Sequence, residues 1–229
     1  MRRFFLSTIP ETAQFHLPEE ESKHIVRVLR MAIGEELMLL DGKGKLLTAR
    51  IIEDHPKRCL VECVHLEQKE KPEQEFHLAI APTKNLDRME WMVEKIVEIG
   101  ATRLSFLQGD HSERVNLKLE RLERVAISAM KQAQHDFLLQ LDPLTTVDAF
   151  IAQFPNGGIA HCMDGEKSSL LSVTLEGPVL IGPEGDFSKR EVELALKSGY
   201  KAIHLGESRL RTETAGLVAT TLAIASKKI

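Results

Sequence analysis

The sequence predicts an α/β fold with a mainly parallel sheet, preceded by a small β-barrel. Three observations predict it. From residue 74 onward, short apolar runs alternate with amphipathic helical patterns, the order that yields parallel strands joined by crossover helices. The first 72 residues instead read mostly as short strands and turns. Between these regions, Gln68-Lys69-Glu70-Lys71-Pro72-Glu73 lacks apolar side chains and contains proline, the texture of a domain boundary. The 229-residue chain is therefore read as two domains, 1–72 and 73–229.

In the first domain, the pattern over Glu19 to Met31 is helical, with Ile25, Val28 and Leu29 on one side. Leu37-Met38-Leu39-Leu40 and Leu46 to Ile52 flank the turn-rich Asp41-Gly42-Lys43-Gly44, which predicts a hairpin over Glu36 to Glu53. Arg58 to Leu66 reads as another strand. In the second domain, Phe76 to Ala81 is a predicted strand. Arg88 to Ile99 follows as an amphipathic helix, with Gly100 as its stop. Leu104 to Leu107 is a strand and Leu117 to Gln134 a longer helix. Ile159 to Cys162 and Val179 to Ile181 are short buried strands. Ser188-Lys189-Arg190-Glu191 is a capping box that opens a helix ending at Gly199. Ala202 to Leu205 and Glu213 to Ser226 read as the last strand and helix.

Composition narrows the class. A hydrophobic content of 43% with 28% charged residues is too apolar for disorder. No apolar run approaches the roughly 20 residues needed to cross a bilayer, and the apolar start after Arg2-Arg3 is broken by Pro10 and Glu11, so a cytoplasmic protein is expected. The net charge of −4 argues against a uniformly basic nucleic-acid module. Any RNA footprint must be local, and Arg2, Arg3, Lys23, His24, Arg27 and Arg30 form the candidate cluster. Cys59 and Cys63 on one strand would lie about 13 Å apart, beyond the roughly 7 Å that a disulfide spans. All three cysteines, Cys162 included, read as small buried hydrophobes, and no metal site is expected.

Two segments carry chemistry. In Leu180-Ile181-Gly182-Pro183-Glu184-Gly185-Asp186-Phe187-Ser188 a buried strand runs into two glycines around a proline and an acid, then into a capped helix. Glycine lets backbone groups approach a ligand closely, and ligands of open α/β sheets sit at the carboxyl ends of strands. A tight strand-to-helix turn explains the same residues. Leu205-Gly206-Glu207-Ser208-Arg209-Leu210-Arg211-Thr212-Glu213-Thr214-Ala215 repeats the plan of strand, glycine loop and helix, with Thr212 suited to cap the helix. Arg209 and Arg211 are either solvated loop residues or part of a pocket shared by both loops. Composition alone does not separate these readings.

Taken in order, these motifs resemble the RsmE-type ribosomal RNA methyltransferases of the SPOUT superfamily. The resemblance runs from Arg2-Arg3-Phe4-Phe5 and His24 to Arg30, through Glu94-Lys95, Glu98 to Ala101 and Ser112-Glu113-Arg114, to the two C-terminal loops. It departs at Asp186, where the family commonly has a second glycine. It departs again at Gln132-Ala133-Gln134-His135, where the family often has Gln-Ser-x-Arg, and at Glu207-Ser208 in the last loop.

The resemblance implies a trefoil-knotted methyltransferase domain, a PUA-like RNA-binding barrel at the N-terminus, a homodimer, and S-adenosylmethionine as cofactor. The implied reaction is methylation of N3 of a specific uridine in 16S ribosomal RNA, free or in the small ribosomal subunit. Met163, Ile181, Gly182, Pro183, Glu184, Gly185, Leu205, Gly206, Leu210, Arg211 and Thr212 would hold the cofactor. Arg211, then Arg209, would stabilise the charge on the uracil. Arg2, Arg3, His24, Arg27, Arg30 and Arg114 would contact RNA. Glu184 and Glu213 are either proton acceptors or braces. A SPOUT enzyme acting on another RNA or base, and a non-catalytic ribosome-assembly factor, are the competing readings. The retained Gly182, Gly185, Leu210, Arg211 and Thr212 favour catalysis over the latter.

Overall fold

A computed structural model of the protein describes residues 1–73, 75–113 and 117–226. It divides into two compact units. The first comprises Met1–Pro72 together with Met130–Leu138, and the second comprises Glu73–Ala129 and Leu139–Ile229.

The first unit is built on β1 (Arg3–Phe5), β2 (Gln14–His16), α1 (Glu19–Lys23), β3 (Glu36–Leu40), β4 (Lys45–Glu53) and β5 (Leu60–Gln68). The strands form one sheet in the order β1-β3-β4-β5-β2, with β1 and β3 parallel and the other pairs antiparallel. Alternation along β3 and β4 buries Leu37, Leu39, Leu47, Ala49 and Ile51 against Phe4, Ile25 and Val61. The predicted hairpin forms because the Asp41 carboxylate accepts the N–H groups of Lys43 and Lys45, at 2.7 and 3.0 Å. The predicted helix over Glu19 to Met31 is shorter than expected. After α1 the chain widens into a π-helical turn over His24–Val28, and Arg30, at φ +53°, ends it in the left-handed region.

The sequence boundary placed residues 130–138 in the second domain, but they pack with the first unit. The N–H of Leu138 donates to the carbonyl of Gly42 at 2.8 Å, and the Arg3 guanidinium meets Asp136 at 2.9 Å. No local periodicity signals this return of the chain.

The second unit contains β6 (His77–Ile80), α2 (Leu86–Ile99), β7 (Arg103–Gln108), α3 (Leu119–Ala133), whose last turn counts with the first unit, and β8 (Gln140–Thr146). There follow α4 (Val147–Gln153), β9 (Gly157–Ala160), β10 (Ser168–Ser169), β11 (Val179–Ile181), α5 (Lys189–Lys197), β12 (Tyr200–His204) and α6 (Thr212–Ser226). The seven strands run β10-β12-β9-β11-β6-β7-β8, and every pair is parallel. Ala79, Ile159 and Leu180 join Phe150, Val192 and Ala195 in the core under α4 and α5. On the opposite face, Leu78 and Ile80 meet α6 at Gly216, where Met92 of α2 also arrives. A parallel sheet covered on both faces explains why its strands read as continuous apolar runs.

Candidate active site

The carboxyl ends of β9, β11 and β12 frame a cavity of about 990 Å³. Its wall is made from Ala160 and His161 at the end of β9, Ile181 to Glu184 with Asp186 from the end of β11 onward, Ile203 to Arg211 from the end of β12 onward, and the start of α6. Sheet order creates the convergence. β9 lies between β12 and β11, and Ala160 pairs with Ile181 on one side and Ile203 on the other. The two glycine loops therefore open on either flank of one central strand.

Each loop is held by its own chemistry. At Gly182, an added Cβ would lie 3.0 Å from the Phe187 ring and 3.1 Å from its backbone nitrogen, so a side chain there would press on buried Phe187. Gly206 adopts φ +131°, a region essentially reserved for glycine. The expected capping box forms at Ser188 and Glu191. It extends further than the motif implied: buried Glu191 accepts the N–H groups of Ser188 and Asp110 at 2.7 and 2.9 Å. The Ser188 hydroxyl donates to Asp110 at 2.6 Å. Bonds from Arg190 and this hydroxyl hold the Asp110 carboxyl below its usual range. His111 Nδ1 donates to the carbonyls of Gly185 and Asp186, at 3.2 and 3.1 Å.

Of the eleven residues expected to hold the cofactor, Ile181, Gly182, Pro183, Glu184, Leu205, Gly206, Leu210, Arg211 and Thr212 line the cavity. Met163 and Gly185 do not. Met163 packs against the core under α4 and α5, and Gly185 faces His111. Thr212 is the first residue of α6, and its hydroxyl points to the Gly182 carbonyl at 3.5 Å, linking the two loops. Arg209 and Arg211 both line the cavity, and neither guanidinium has a hydrogen-bond or ion-pair partner among the described residues.

The cavity also contains residues not singled out for it by sequence, notably Arg88, Lys167 and His204. Arg88 arrives from α2, more than ninety positions before the loops, so only the three-dimensional arrangement reveals it. Its Nε lies 3.7 Å from Glu213. Glu213 is buried, which fits a brace. Lys167 donates to the carbonyls of His161 and Met163, at 3.1 and 2.7 Å, and so ties down the chain after β9. Cys162, expected to be buried, is exposed in the cavity wall. Cys59 is buried, and burial pushes its thiol up to about 11.

In the first unit, Arg2, Arg27 and Arg30 are exposed, whereas Arg3 and His24 are partly buried. Arg2 donates to the carbonyl of Leu29 at 2.9 Å, Arg3 is engaged with Asp136, and the His24 ring packs edge-on against Phe4. Arg114 lies outside the described residues. Among the described residues no cluster of three or more metal-binding side chains occurs, and no helix is long and apolar enough to cross a membrane.

Comparison with known proteins gives this geometry a family. The RNA methyltransferase domain profile matches residues 69–224, and the RNA methyltransferase PUA domain profile matches residues 17–63. The ribosomal RNA small subunit methyltransferase E of Synechocystis is 31% identical, over 91% of this chain and 69% of its own length. The crystal structure of a probable rRNA-methyltransferase from Porphyromonas gingivalis superposes with a TM-score of 0.92 at 40% identity, covering 100% of this chain and 99% of that one. A ribosomal RNA small subunit methyltransferase E from Neisseria gonorrhoeae, bound to S-adenosyl methionine, superposes at 0.82 with 28% identity, covering 96% and 95%. The chain belongs to the RNA methyltransferase family that includes ribosomal RNA small subunit methyltransferase E.

Proposed function

We propose that this protein transfers a methyl group from S-adenosylmethionine to N3 of a specific uridine in 16S ribosomal RNA. The observation that carries the proposal is the cavity between the two glycine loops, with the guanidinium groups of Arg209 and Arg211, unpartnered among the described residues, in its wall. Its volume of about 990 Å³ is at the upper end for small-molecule pockets, enough for a nucleoside cofactor and a target base. Its residues fit the cofactor. Ile181, Leu205 and Leu210 offer apolar surface for a purine, and the backbone of the Gly182 and Gly206 loops offers hydrogen-bonding groups. When bound, S-adenosylmethionine supplies a methyl group on a sulfonium, an electrophile that needs no further activation.

The chain's own residues address the acceptor. The N3 proton of uracil is weakly acidic, and its loss spreads negative charge onto the flanking carbonyl oxygens. Arg211, with Arg209 second, supplies a cationic donor to that charge, the kind of electrostatic stabilisation that oxyanion donors give in acyl transfer. Buried Glu213 braces Arg88. The target base leaves its stack to reach the cavity, while Arg2, Arg27 and Arg30 hold phosphates.

Residues 1–72 serve as the RNA-binding domain and 73–229 as the methyltransferase domain, with the segment after β11 threaded as a trefoil knot. The protein acts as a cytoplasmic homodimer. Supporting the dimer, α6 is apolar around its circumference, with Leu217, Val218, Leu222 and Ile224 only partly covered. Calorimetry with S-adenosylmethionine tests the cofactor assignment: a single class of micromolar sites is expected, and no detectable heat with intact dimer contradicts it.

A further inference from the structure

The amino end of α2 carries two cations that the helix itself does not favour. Lys84 precedes the cap residue Asn85, and Arg88 is the third residue of the helix. A helix start is electropositive, so acids stabilise it and cations weaken it. The acid of this turn, Asp87, pairs instead with Arg121 of α3 at 3.4 Å. Two cations kept at that end call for a reason other than stability.

Both cations border the cavity, and each is held by an acid. Arg88 lines the wall, with its Nε 3.7 Å from Glu213. Glu213 is buried, and one of its carboxylate oxygens has no hydrogen-bond partner among the described residues, so the Arg88 charge is what offsets its burial. That pairing holds one edge of the guanidinium and leaves its other donors for a ligand. Lys84 meets Glu113 at 2.8 Å, and both side chains are exposed, at 77% and 62%. The bond to Glu113, with a smaller pull from Glu184 of the cavity wall, holds the Lys84 pKa above its ordinary value. Lys84 is therefore a charged ammonium beside the cavity, in a surface pair weak enough for a stronger anion to replace.

Positive charge that runs from the cavity wall onto the exposed surface suits a polyanion that enters from outside. A target base leaving its stack carries its phosphates to the entrance. A cofactor carboxylate would use a cation in the wall and none beyond it. We propose that Lys84 and Arg88 form a phosphate grip beside the cavity, holding the backbone of the substrate RNA next to the target base, with Glu213 orienting Arg88. The phosphate takes the place of Glu113 on Lys84. The proposal rests on the RNA methyltransferase reading and adds a contact from the second unit to the arginines of the first.

The test uses small-subunit ribosomal RNA from a strain lacking the gene, free and assembled. RNA binding is measured apart from turnover, and S-adenosylhomocysteine affinity by calorimetry. Lys84→Ala and Arg88→Ala should each raise KM for RNA roughly five- to tenfold and lower the salt slope of RNA binding by about 0.7 to 0.9, with S-adenosylhomocysteine affinity kept within about twofold. Lys84→Arg should stay near wild type, because the charge remains. Glu113→Gln should tighten RNA binding, because it removes the acid with which the phosphate competes. Adding Glu213→Gln to Arg88→Ala should cost no further KM, since Glu213 acts through Arg88, and a further loss overturns the orienting role. An unchanged KM and salt slope in either single variant overturns the grip, as does a loss in Arg88→Ala confined to S-adenosylhomocysteine. Should Arg88→Ala fail to fold, Lys84→Ala and Glu113→Gln decide, because both of those side chains are exposed. Wild-type protein that neither binds nor methylates these RNAs overturns the functional reading itself, and this proposal with it.

Discussion

Asp186 shows how a single residue can depart from a family pattern and still fit. It sits at φ +64°, a conformation that glycine adopts freely and that aspartate tolerates better than most residues. This accounts for the glycine usual in the family. The aspartate offsets the strain with its carboxylate, which accepts the N–H groups of Cys162 and Phe187 at 2.7 and 2.8 Å. Asp186→Gly should relieve the backbone and lose the tie to Cys162. Asp186→Ala should lose that tie and keep the strain, and unfold in urea about 1 kcal/mol more readily than the glycine variant. An alanine variant as stable as the glycine one contradicts this account. Arg211 makes the sharper chemical prediction. Arg211→Ala should keep S-adenosylmethionine affinity within a few-fold while turnover falls by about 100-fold or more, the effect of removing one donor to the charge that develops in the transition state. Near-normal turnover in a methylation assay removes Arg211 from that role.

At the scale of elements, the legible features were those with local causes. The strand Val179–Ile181 was readable because it is a short buried run between turn residues, and the Ser188 box because the capping residues are adjacent in sequence. The helix ending at Gly100 was readable from its stop, and Gly100 indeed takes φ +110°. β8 carries no strand pattern in the sequence for a physical reason. Pro143 interrupts it, and a proline is tolerated there because β8 is the sheet edge, at the cost of a register shift opposite Leu104 and Phe106. Strands of two or three residues, such as β1, β2 and β10, are too short to show a period.

The amino ends of β6, β7 and β8 carry a polar network that the sequence did not disclose either. Asp142 accepts Arg103 at 2.7 Å, together with Ser105 and Gln140, and His77 meets Ser105 at 2.7 Å. His77 lies 3.9 Å from Asp142, but burial, then Arg103, lower its pKa to about 4, outweighing Asp142 and Glu75. The folded value lies below the unfolded one, so the unfolded chain takes up the extra proton. Stability from this group is complete above about pH 6.5 and is lost as pH falls toward 4. From pH 7 to 5 the loss should be on the order of 1–2 kcal/mol, and His77→Gln should show a correspondingly flatter decline in urea unfolding. The same decline in both proteins contradicts the neutral buried ring.

For the whole molecule, what the sequence could not express is how distant segments meet. Residues 130–138 pack with the N-terminal unit, and Arg88 joins loops far along the chain. The family resemblance supplied the function because the two C-terminal loops retain most of their pattern as short contiguous motifs. The charge balance adds a whole-chain expectation. With a net charge of −4, RNA affinity must come from local arginines. Replacing Arg2, Arg27 and Arg30 with alanine should therefore weaken RNA binding and lower its salt slope by roughly one unit for each phosphate no longer neutralised. An unchanged slope moves the footprint elsewhere. The central claim is methylation at uridine N3, and mass spectrometry of small-subunit ribosomal RNA nucleosides after deletion of the gene tests it most directly. N3-methyluridine should disappear and return when the gene is restored; undiminished N3-methyluridine in the deletion strain contradicts the claim.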